Sequence, residues 1–370
     1  MFVSVASRLD SFALPPSVHG GFDYAELERL GLDPGDVLDF SVNSNPFGPP
    51  PDVQGIWAQV AVDRYPDREC MALRSALAER NSCAEEQVWV GNGSSELIWL
   101  LGLAYLRAGD SVMIVGPTYG EYAVVGKMMQ ARVAAFVARQ NDGFRPVVGA
   151  LEGMLRDVRP RLTFLCNPNN PTGVYLDRSP VESLIAANPD GLLVLDEAYV
   201  AFVADRWDVT PLLETGQVVV LRSLTKDYAL TGLRLGYLLA CAEIVDAVRR
   251  VQPPWSVNAV AQAAGLAVLQ ADGHLQDTLL KTRQTALELR QALLALELRV
   301  RPSDTHFFLI EVDDAAKMRI KLLRRGILVR DCTSFGLPSF VRIATRRPEE
   351  NRCLIAAWRD LLEERTRNDG

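Results

Sequence analysis

The chain has 370 residues, 48% of them hydrophobic and 23% charged, so it can bury a large core in one large or two coupled domains and is not a disordered chain. Its 39 basic and 46 acidic residues give a net charge of −7, and the scattered positions of the basic residues argue against a broad nucleic-acid-binding surface. The first residues lack a secretion-signal pattern, and no stretch reaches the length of about 20 apolar residues that spans a bilayer. We therefore predict a cytoplasmic protein with a small-molecule partner and with no nucleic-acid or membrane partner.

The cysteines and histidines indicate neither a disulfide framework nor a metal centre. Six cysteines are dispersed without a CxxC pair, which is typical of reduced thiols in a reducing compartment. The three histidines, at positions 19, 274 and 306, are isolated from one another, so we predict no metal site.

Strands and helices are predicted to alternate from about residue 88 onwards. Before that point, the strand-like VLDFSV at 37–42 leads into a rigid connector, PFGPPP at 46–51. Up to about residue 242, short continuous apolar runs such as GLLVL alternate with amphipathic segments. This pattern predicts an α/β fold with buried parallel strands and helices on both faces of the sheet.

The C-terminal third has a different pattern. PPWSV at 253–257 interrupts the alternation, and a long helical stretch, further strand-like runs and a final helix around 349–365 follow it. Strands and helices in this order are typical of a smaller α+β domain. The predicted division is an N-terminal arm with part of the small domain at 1–48, a large domain at 49–257 and a small C-terminal domain at 258–370.

One lysine stands at the end of the strand-like VVVLRSLTK at 218–226. Burial of Lys226 would lower its pKa, and a neutral amine attacks carbonyl groups. Ser223, Thr225 and Arg234 offer hydroxyl and guanidinium donors for an anion beside it. Pyridoxal phosphate, an aldehyde that carries a phosphate, matches both features. Taken alone, such a run is more typical of a surface lysine and an arginine in an ordinary ion pair.

Two further stretches place polar side chains where strands end. In DEAYVAF at 196–202, Asp196 follows an apolar run and could pair with a protonated pyridine nitrogen, while Tyr199 could direct its hydroxyl to the phenolic oxygen of the ring. In CNPNNPTG at 166–173, a tight turn presents the amide of Asn170 to the same oxygen. The alternatives are a helix N-terminal carboxylate and an ordinary turn.

Two more stretches predict the surroundings of the phosphate and the ring. GNGSSE at 91–96 places glycines and hydroxyls at the start of a helix, where backbone N–H groups and the helix dipole bind phosphate. Ser95 is alternatively a plain N-cap. In PTYGEY at 117–122, Tyr119 could stack on a pyridine ring or belong to the core.

In this order, GNGSSE, PTYGEY, NNPTG, DEAY, SxTK and RxGY resemble the fold-type I aminotransferase superfamily over residues 91–237. The resemblance implies an α/β fold with a mostly parallel central sheet flanked by helices, a smaller α+β domain, and pyridoxal 5′-phosphate as cofactor. It also implies a homodimer with shared active sites. The implied roles are Lys226 as Schiff-base lysine and proton shuttle, Asp196 as ring-nitrogen partner, Asn170 and Tyr199 as phenolic-oxygen donors, Tyr119 as stacking ring, Ser94, Ser95, Ser223, Thr225 and Arg234 as phosphate ligands, and Tyr65 as a ligand of the partner subunit's cofactor.

Within the superfamily, the chain resembles the histidinol-phosphate aminotransferase branch and, more closely, the threonine-phosphate decarboxylase group. HGG, DFSVNSNPFGPP, PPWSVNA, ILVRDC and FVRIA carry this resemblance. It implies that Arg342 binds the substrate α-carboxylate, that Arg330 binds anionic groups of a phosphorylated substrate, and that His19 and Asn43 meet substrate. For the arginines the alternative is a surface ion pair, and for His19 a structural role.

The first functional expectation is decarboxylation of L-threonine O-3-phosphate to (R)-1-aminopropan-2-yl phosphate, a step of cobalamin biosynthesis. The second is transamination, for example of histidinol phosphate. Tyr119 is the residue usual in the histidinol-phosphate branch, which favours the second. A non-catalytic binding protein with the same fold is a third interpretation, in which the cofactor would not be held covalently.

Overall fold

The computed structural model describes residues 19–369, so the first 18 residues of the predicted N-terminal arm lie outside the described residues. Within this range the chain forms thirteen β-strands and twelve α-helices. The strands are β1 (Leu38–Asp39), β2 (Val88–Gly91), β3 (Ser111–Gly116), β4 (Arg132–Val137), β5 (Leu162–Cys166), β6 (Leu192–Asp196), β7 (Val218–Ser223), β8 (Gly236–Leu239), β9 (Arg299–Val300), β10 (Phe307–Glu311), β11 (Ile327–Leu328), β12 (Arg330–Asp331) and β13 (Phe340–Ala344). The helices are α1 (Tyr24–Leu30), α2 (Met71–Asn81), α3 (Gly93–Tyr105), α4 (Glu121–Met128), α5 (Val148–Val158), α6 (Arg178–Ala187), α7 (Leu224–Asp227), α8 (Ala242–Val251), α9 (Ala259–Gln270), α10 (Asp272–Ala295), α11 (Ala315–Leu323) and α12 (Pro348–Asp369). In this part of the chain no helix combines the length and the apolar character that a bilayer crossing requires.

The central sheet has seven strands in the order β2-β8-β7-β6-β5-β3-β4, and β8 runs in the opposite direction to the other six. Side chains of a strand point alternately to the two faces, and on β6 Leu193 and Leu195 join one core while Leu192 and Val194 join the other. Helices α2, α5 and α6 contribute to the first core, and α3, α4 and α8 to the second. Both faces are therefore covered, which explains the continuous apolar runs and confirms the predicted fold class.

The carboxyl ends of the parallel strands place polar side chains along one edge of this sheet. Asp196 is the last residue of β6, and Ser223 is the last residue of β7. At the same edge β8 begins at Gly236, which pairs with Ser223 on one side and with Gly91 on the other. Residues far apart in sequence thus meet at one edge, where ligands of open α/β sheets bind.

Gly236 is required by the close approach of helix α3. A Cβ on Gly236 would lie 2.5 Å from the backbone nitrogen of Ser94 and 3.0 Å from the carbonyl oxygen of Arg222. We expect Gly236→Ala to lower the free energy of unfolding by about 1–3 kcal/mol, because backbone atoms cannot move aside as a flexible side chain could. Gly232→Ala is the matched control, since no described atom lies within 4 Å of the Cβ it would gain. Thermal and denaturant unfolding of both variants check this, and equal stabilities would contradict it.

The second sheet is antiparallel, with the order β12-β13-β10-β9. One of its faces packs on α10 and α12 through Phe308, Ile310 and Ile343. Its other face packs against the first core through Phe307 and Leu309. The short strand β1 pairs in parallel with β11 and so attaches the segment before the large sheet to this C-terminal part. The exact domain boundaries stay a prediction.

Candidate active site

A cavity of about 740 Å³ lies at the polar edge of the large sheet, between that sheet and the antiparallel one. Segments from both parts of the chain form its wall. All the predicted site residues except Tyr65 line it: His19, Asn43, Ser94, Ser95, Tyr119, Asn170, Asp196, Tyr199, Ser223, Thr225, Lys226, Arg234, Arg330 and Arg342.

Lys226 lies in the one-turn helix α7, immediately after β7, and points its amine into this cavity. Loss of water around the ammonium, together with the positive charges of Arg234 and Arg342, lowers the pKa of Lys226 to about 8, while the charge of Asp196 opposes this shift. The Nζ atom lies 5.9 Å from the ring centroid of Tyr199. The amine is therefore closer to its neutral, nucleophilic form than an exposed lysine is at neutral pH.

This pKa predicts how the apoprotein takes up an aldehyde. With a pKa of about 8 instead of 10.5, the neutral fraction of the amine at pH 7 is about 300-fold larger. We expect the rate of imine formation to rise about tenfold per pH unit up to about pH 8 and then to level off, because only the neutral amine attacks. Stopped-flow absorbance from pH 6 to 10, with Nα-acetyllysine as the reference amine, checks this. A rate that keeps rising to pH 10 would show an ordinary lysine.

Asp196 is buried at the end of β6 and is held by two hydrogen bonds. The Tyr122 hydroxyl donates to Oδ2 at 2.6 Å, and the backbone N–H of Ala198 donates to Oδ1 at 3.0 Å. Burial raises the pKa of Asp196, against the effect of both hydrogen bonds. A cationic group close to the carboxylate would keep it ionised, and a protonated pyridine nitrogen is such a group.

Sequence reasoning missed Tyr122, which belongs to PTYGEY and lies in the first turn of α4. Its ring is fully buried and stacks on Phe164, with centroids 4.8 Å apart and planes 8° apart. That packing directs its hydroxyl to Asp196. The motif contains the residue, but only the position of α4 next to β6 reveals the contact.

A cradle of hydrogen-bond donors lies beside the lysine. Ser94 and Ser95 lie in the first turn of the 13-residue helix α3, where backbone N–H groups point outward. The hydroxyls of Ser223 and Thr225 are 2.6 Å apart. A Cβ on Gly93, which has φ +78°, would lie 2.8 Å from Nη2 of Arg234. The N-terminal end of α3, the two hydroxyls and the guanidinium of Arg234 thus lie close together, an arrangement that fits a phosphate group.

Tyr119 lines the cavity beside the cradle. Its hydroxyl lies 3.4 Å from Ser95 Oγ, and its ring is 5.6 Å from the ring of Tyr122 in an edge-on arrangement. His19 lies 5.7 Å from the Tyr119 ring and 3.4 Å from a carboxylate oxygen of Glu121. His19 therefore adjoins the mouth, and stacking of Tyr119 on a cofactor ring stays a prediction.

A second group of polar side chains on the cavity wall consists of Asn170, Tyr199 and Asn43. The amide oxygen of Asn170 accepts a hydrogen bond from Arg342, so its amide nitrogen is left to donate. Tyr199 is buried and packs edge-on against Phe307 at 4.9 Å. Asn43 is buried as well, and its side chain interacts with that of Tyr199.

The two predicted substrate arginines are direct cross-strand neighbours. Arg330 of β12 pairs in register with Arg342 of β13, and the two residues are only 5% and 4% exposed. Arg330 donates to the carbonyl oxygen of His19 at 2.9 Å and to Ser334 Oγ at 2.7 Å. Burial, together with the charge of Arg342, lowers the pKa of Arg330 to about 10. Like charges directly opposite each other destabilise a sheet, so an anion between or beside them would relieve the repulsion.

Tyr65 lies away from this cavity. Its side chain is 77% exposed and stacks on Trp255, with ring centroids 4.3 Å apart. Its predicted role toward a partner subunit's cofactor stays a prediction.

Known proteins resemble the chain along most of its length. The family model for aminotransferase class I and II matches residues 35–357. Threonine-phosphate decarboxylase of Salmonella typhimurium is 36% identical over 363 residues, covering 95% of this chain and 98% of that protein. Histidinol-phosphate aminotransferase of Moorella thermoacetica is 33% identical over 352 residues, covering 91% of this chain and 88% of that protein.

A solved structure shares the fold. Histidinol-phosphate aminotransferase from Sinorhizobium meliloti, in complex with pyridoxal-5′-phosphate, superimposes with a TM-score of 0.87 at 23% identity and covers 98% of this chain and 99% of that chain. The predicted superfamily and its cofactor are thereby confirmed, and the interpretation as a non-catalytic binding protein is set aside. The chain belongs to the class I and II aminotransferase family and is an enzyme that depends on pyridoxal 5′-phosphate.

Proposed function

We propose that this enzyme decarboxylates L-threonine O-3-phosphate to (R)-1-aminopropan-2-yl phosphate. The observation that carries the proposal is the cross-strand pair of buried arginines, Arg330 and Arg342, at the cavity wall. Two buried guanidinium groups favour a substrate with two anionic groups, such as a carboxylate and a phosphate. The 36% identity to a threonine-phosphate decarboxylase over nearly the whole chain supports the same substrate.

In the proposed mechanism the residues of the chain hold the substrate and move one proton. When bound, pyridoxal phosphate accepts the electron pair of a bond that breaks at the substrate Cα. Asp196 Oδ would keep a proton on the ring nitrogen, which preserves the ring as an electron acceptor. Arg342 would grip the α-carboxylate and so fix which Cα bond stands perpendicular to the ring.

Lys226 is the proposed proton donor after CO2 has left. With a pKa of about 8, its Nζ can carry a proton near neutral pH and release it to Cα. Asn170 and Tyr199 would donate hydrogen bonds to the phenolic oxygen of the ring, and the α3 cradle would hold the phosphate of the cofactor. The wall formed by Tyr119 would separate the reacting carbon from water at the mouth.

A second candidate is transamination of histidinol phosphate or of another amino acid. Tyr119 favours it, because this residue is the one usual in the histidinol-phosphate branch. The 33% identity to a histidinol-phosphate aminotransferase supports it equally. The same arginines would then bind a phosphate and, in the second half-reaction, the carboxylates of the amino acceptor.

The two reactions differ in their products, so one pair of assays separates them. The purified holoenzyme is incubated with L-threonine O-3-phosphate, and CO2 is measured. In parallel it is incubated with histidinol phosphate and 2-oxoglutarate, and glutamate is measured. CO2 without glutamate is the expected result, and glutamate without CO2 would replace the proposal by the second candidate. An Arg342→Gln variant in both assays shows whether the activity depends on the arginine pair.

We also propose a homodimer whose subunits share their active sites through Tyr65. Its exposure suits a side chain that reaches another subunit. Mixing Lys226→Ala with Tyr65→Ala protein tests this, because a heterodimer would contain one intact site. Random mixing should restore about a quarter of the wild-type activity. No recovery would show that Tyr65 acts within its own subunit, and full activity of Tyr65→Ala alone would show that Tyr65 has no role in the site. Together with the decarboxylation we propose a cytoplasmic location and a role for the enzyme in cobalamin biosynthesis.

A further inference from the structure

One side of helix α4 forms part of the cavity wall and ends in a lysine. Gly120, Ala123, Val124 and Lys127 all line the cavity, and their spacing of three and four residues places them on one helix face. Three of these residues are small or apolar. Lys127 is therefore the one charged group that this helix presents to the cavity, and its side chain is exposed at the rim.

Among the residues whose side chains the structure describes, no carboxylate forms an ion pair with Lys127. The acidic residue in the first turn of the same helix, Glu121, faces His19 instead. Two other lysines, Lys281 and Lys317, contact aspartates on their own helices or caps at 2.6 and 3.1 Å. Lys127 lies in the last turn of α4, where its positive charge interacts favourably with the helix dipole. This interaction is the purely structural explanation for a lysine at this position.

The charges around the cavity indicate what Lys127 could bind. Among the described residues, Asp196 is the one acidic side chain that lines the cavity, against the cationic groups of Lys127, Lys226 and three arginines. In the proposed arrangement, Lys226, Asp196 and Arg234 interact with the cofactor. The other cationic residues that line the cavity are Lys127, Arg330 and Arg342. A phosphorylated amino acid carries a carboxylate and a phosphate, both of them anionic at neutral pH, and such groups suit a wall with these cationic side chains.

We propose that Lys127 is a specificity-determining residue, whose ammonium binds the phosphomonoester of the substrate at the rim of the cavity, together with Arg330. This inference rests on the proposed function, because it assumes a phosphorylated substrate. Arg342 holds the α-carboxylate deep in the cavity, and Lys127 holds the distal anion near the mouth. A flexible, hydrated ammonium at the rim selects for charge more than for geometry.

The test measures binding of a ligand that cannot react. 3-Phosphonopropionate carries a carboxylate and a phosphonate but no amine, and propionate is the same carboxylate without the phosphonate. Isothermal titration of the holoenzyme at low salt compares wild type, Lys127→Gln, Lys127→Arg and the control Lys317→Gln. We expect Lys127→Gln to weaken 3-phosphonopropionate binding about five- to tenfold, since a partly exposed charge is worth about 1 kcal/mol. Lys127→Arg should stay within about twofold of wild type, and the control should be unchanged.

Propionate binding should be the same in all four proteins, because Lys127 does not touch the carboxylate. In turnover assays, KM for the phosphorylated substrate should rise by the same factor while kcat is retained. An equal Kd for 3-phosphonopropionate in wild type and Lys127→Gln would overturn the inference. If Lys127→Gln also had a lower melting temperature than wild type, the role of Lys127 would be structural. If the wild type converts neither phosphorylated substrate, the proposed function fails, whereas the comparison of Kd values still decides the role of Lys127.

Discussion

Replacement of Lys226 by alanine is expected to lower activity by at least about 10⁴-fold. The variant lacks both the amine that holds the cofactor covalently and the group proposed to return a proton to the substrate, and a positioned acid or base alone contributes about 10²- to 10⁴-fold. The structure supports this prediction because, in the described part of the chain, Lys226 is the one lysine inside the cavity apart from Lys127 at its rim. Borohydride reduction of the holoenzyme, followed by peptide mass spectrometry, should locate a pyridoxyl group on Lys226 in wild type and on no residue in the variant.

Lys281→Ala is the matched control for this prediction. Lys281 lies on α10, is exposed and pairs with Asp277 at 2.6 Å, an interaction worth at most about 1 kcal/mol. Its loss should leave activity and labelling unchanged. Trapping of the pyridoxyl group on another lysine, or substantial activity of Lys226→Ala, would show that the reactive amine has been assigned to the wrong residue.

Asp196→Asn is expected to lower activity about 10²- to 10⁴-fold. The asparagine keeps the size of the side chain but removes the negative charge that would stabilise a protonated ring nitrogen. Breaking a buried charge pair costs about 3–5 kcal/mol, which corresponds to a loss of this size when the pair acts in the reaction. Steady-state kinetics measure the loss, and a lowered kcat with cofactor still bound is the expected pattern.

Tyr122→Phe separates the charge of Asp196 from its positioning. The phenylalanine can keep the stacking on Phe164 but loses the hydrogen bond of 2.6 Å to the Asp196 carboxylate. A hydrogen bond to a charged group contributes about 1.5–3 kcal/mol, so activity should fall at least about tenfold but less than in Asp196→Asn. Wild-type activity in Asp196→Asn would refute the proposed role of this carboxylate, whatever Tyr122→Phe shows.

Much of the site could be predicted from the sequence because its residues follow apolar runs. Asp196 ends the apolar run of β6, while Asn170 and Lys226 follow the runs of β5 and β7. Parallel strands bring their carboxyl ends to one edge, so residues that end such runs become neighbours whatever the length of the chain between them. The fold class follows from the same pattern, since strands covered on both faces must be continuously apolar.

The contacts that depend on how separate elements pack were decided by the tertiary structure alone. The pairing of Arg330 with Arg342 results from the register of β12 on β13, and a shift by one residue would turn one of the two side chains to the other face. The contact of Tyr122 with Asp196, and the position of Lys127 at the rim, depend on how α4 lies across the sheet edge. Local sequence determines which side chains a strand or helix carries, but side chains on different elements meet only where the packing of those elements places them, because that packing depends on contacts along the whole chain.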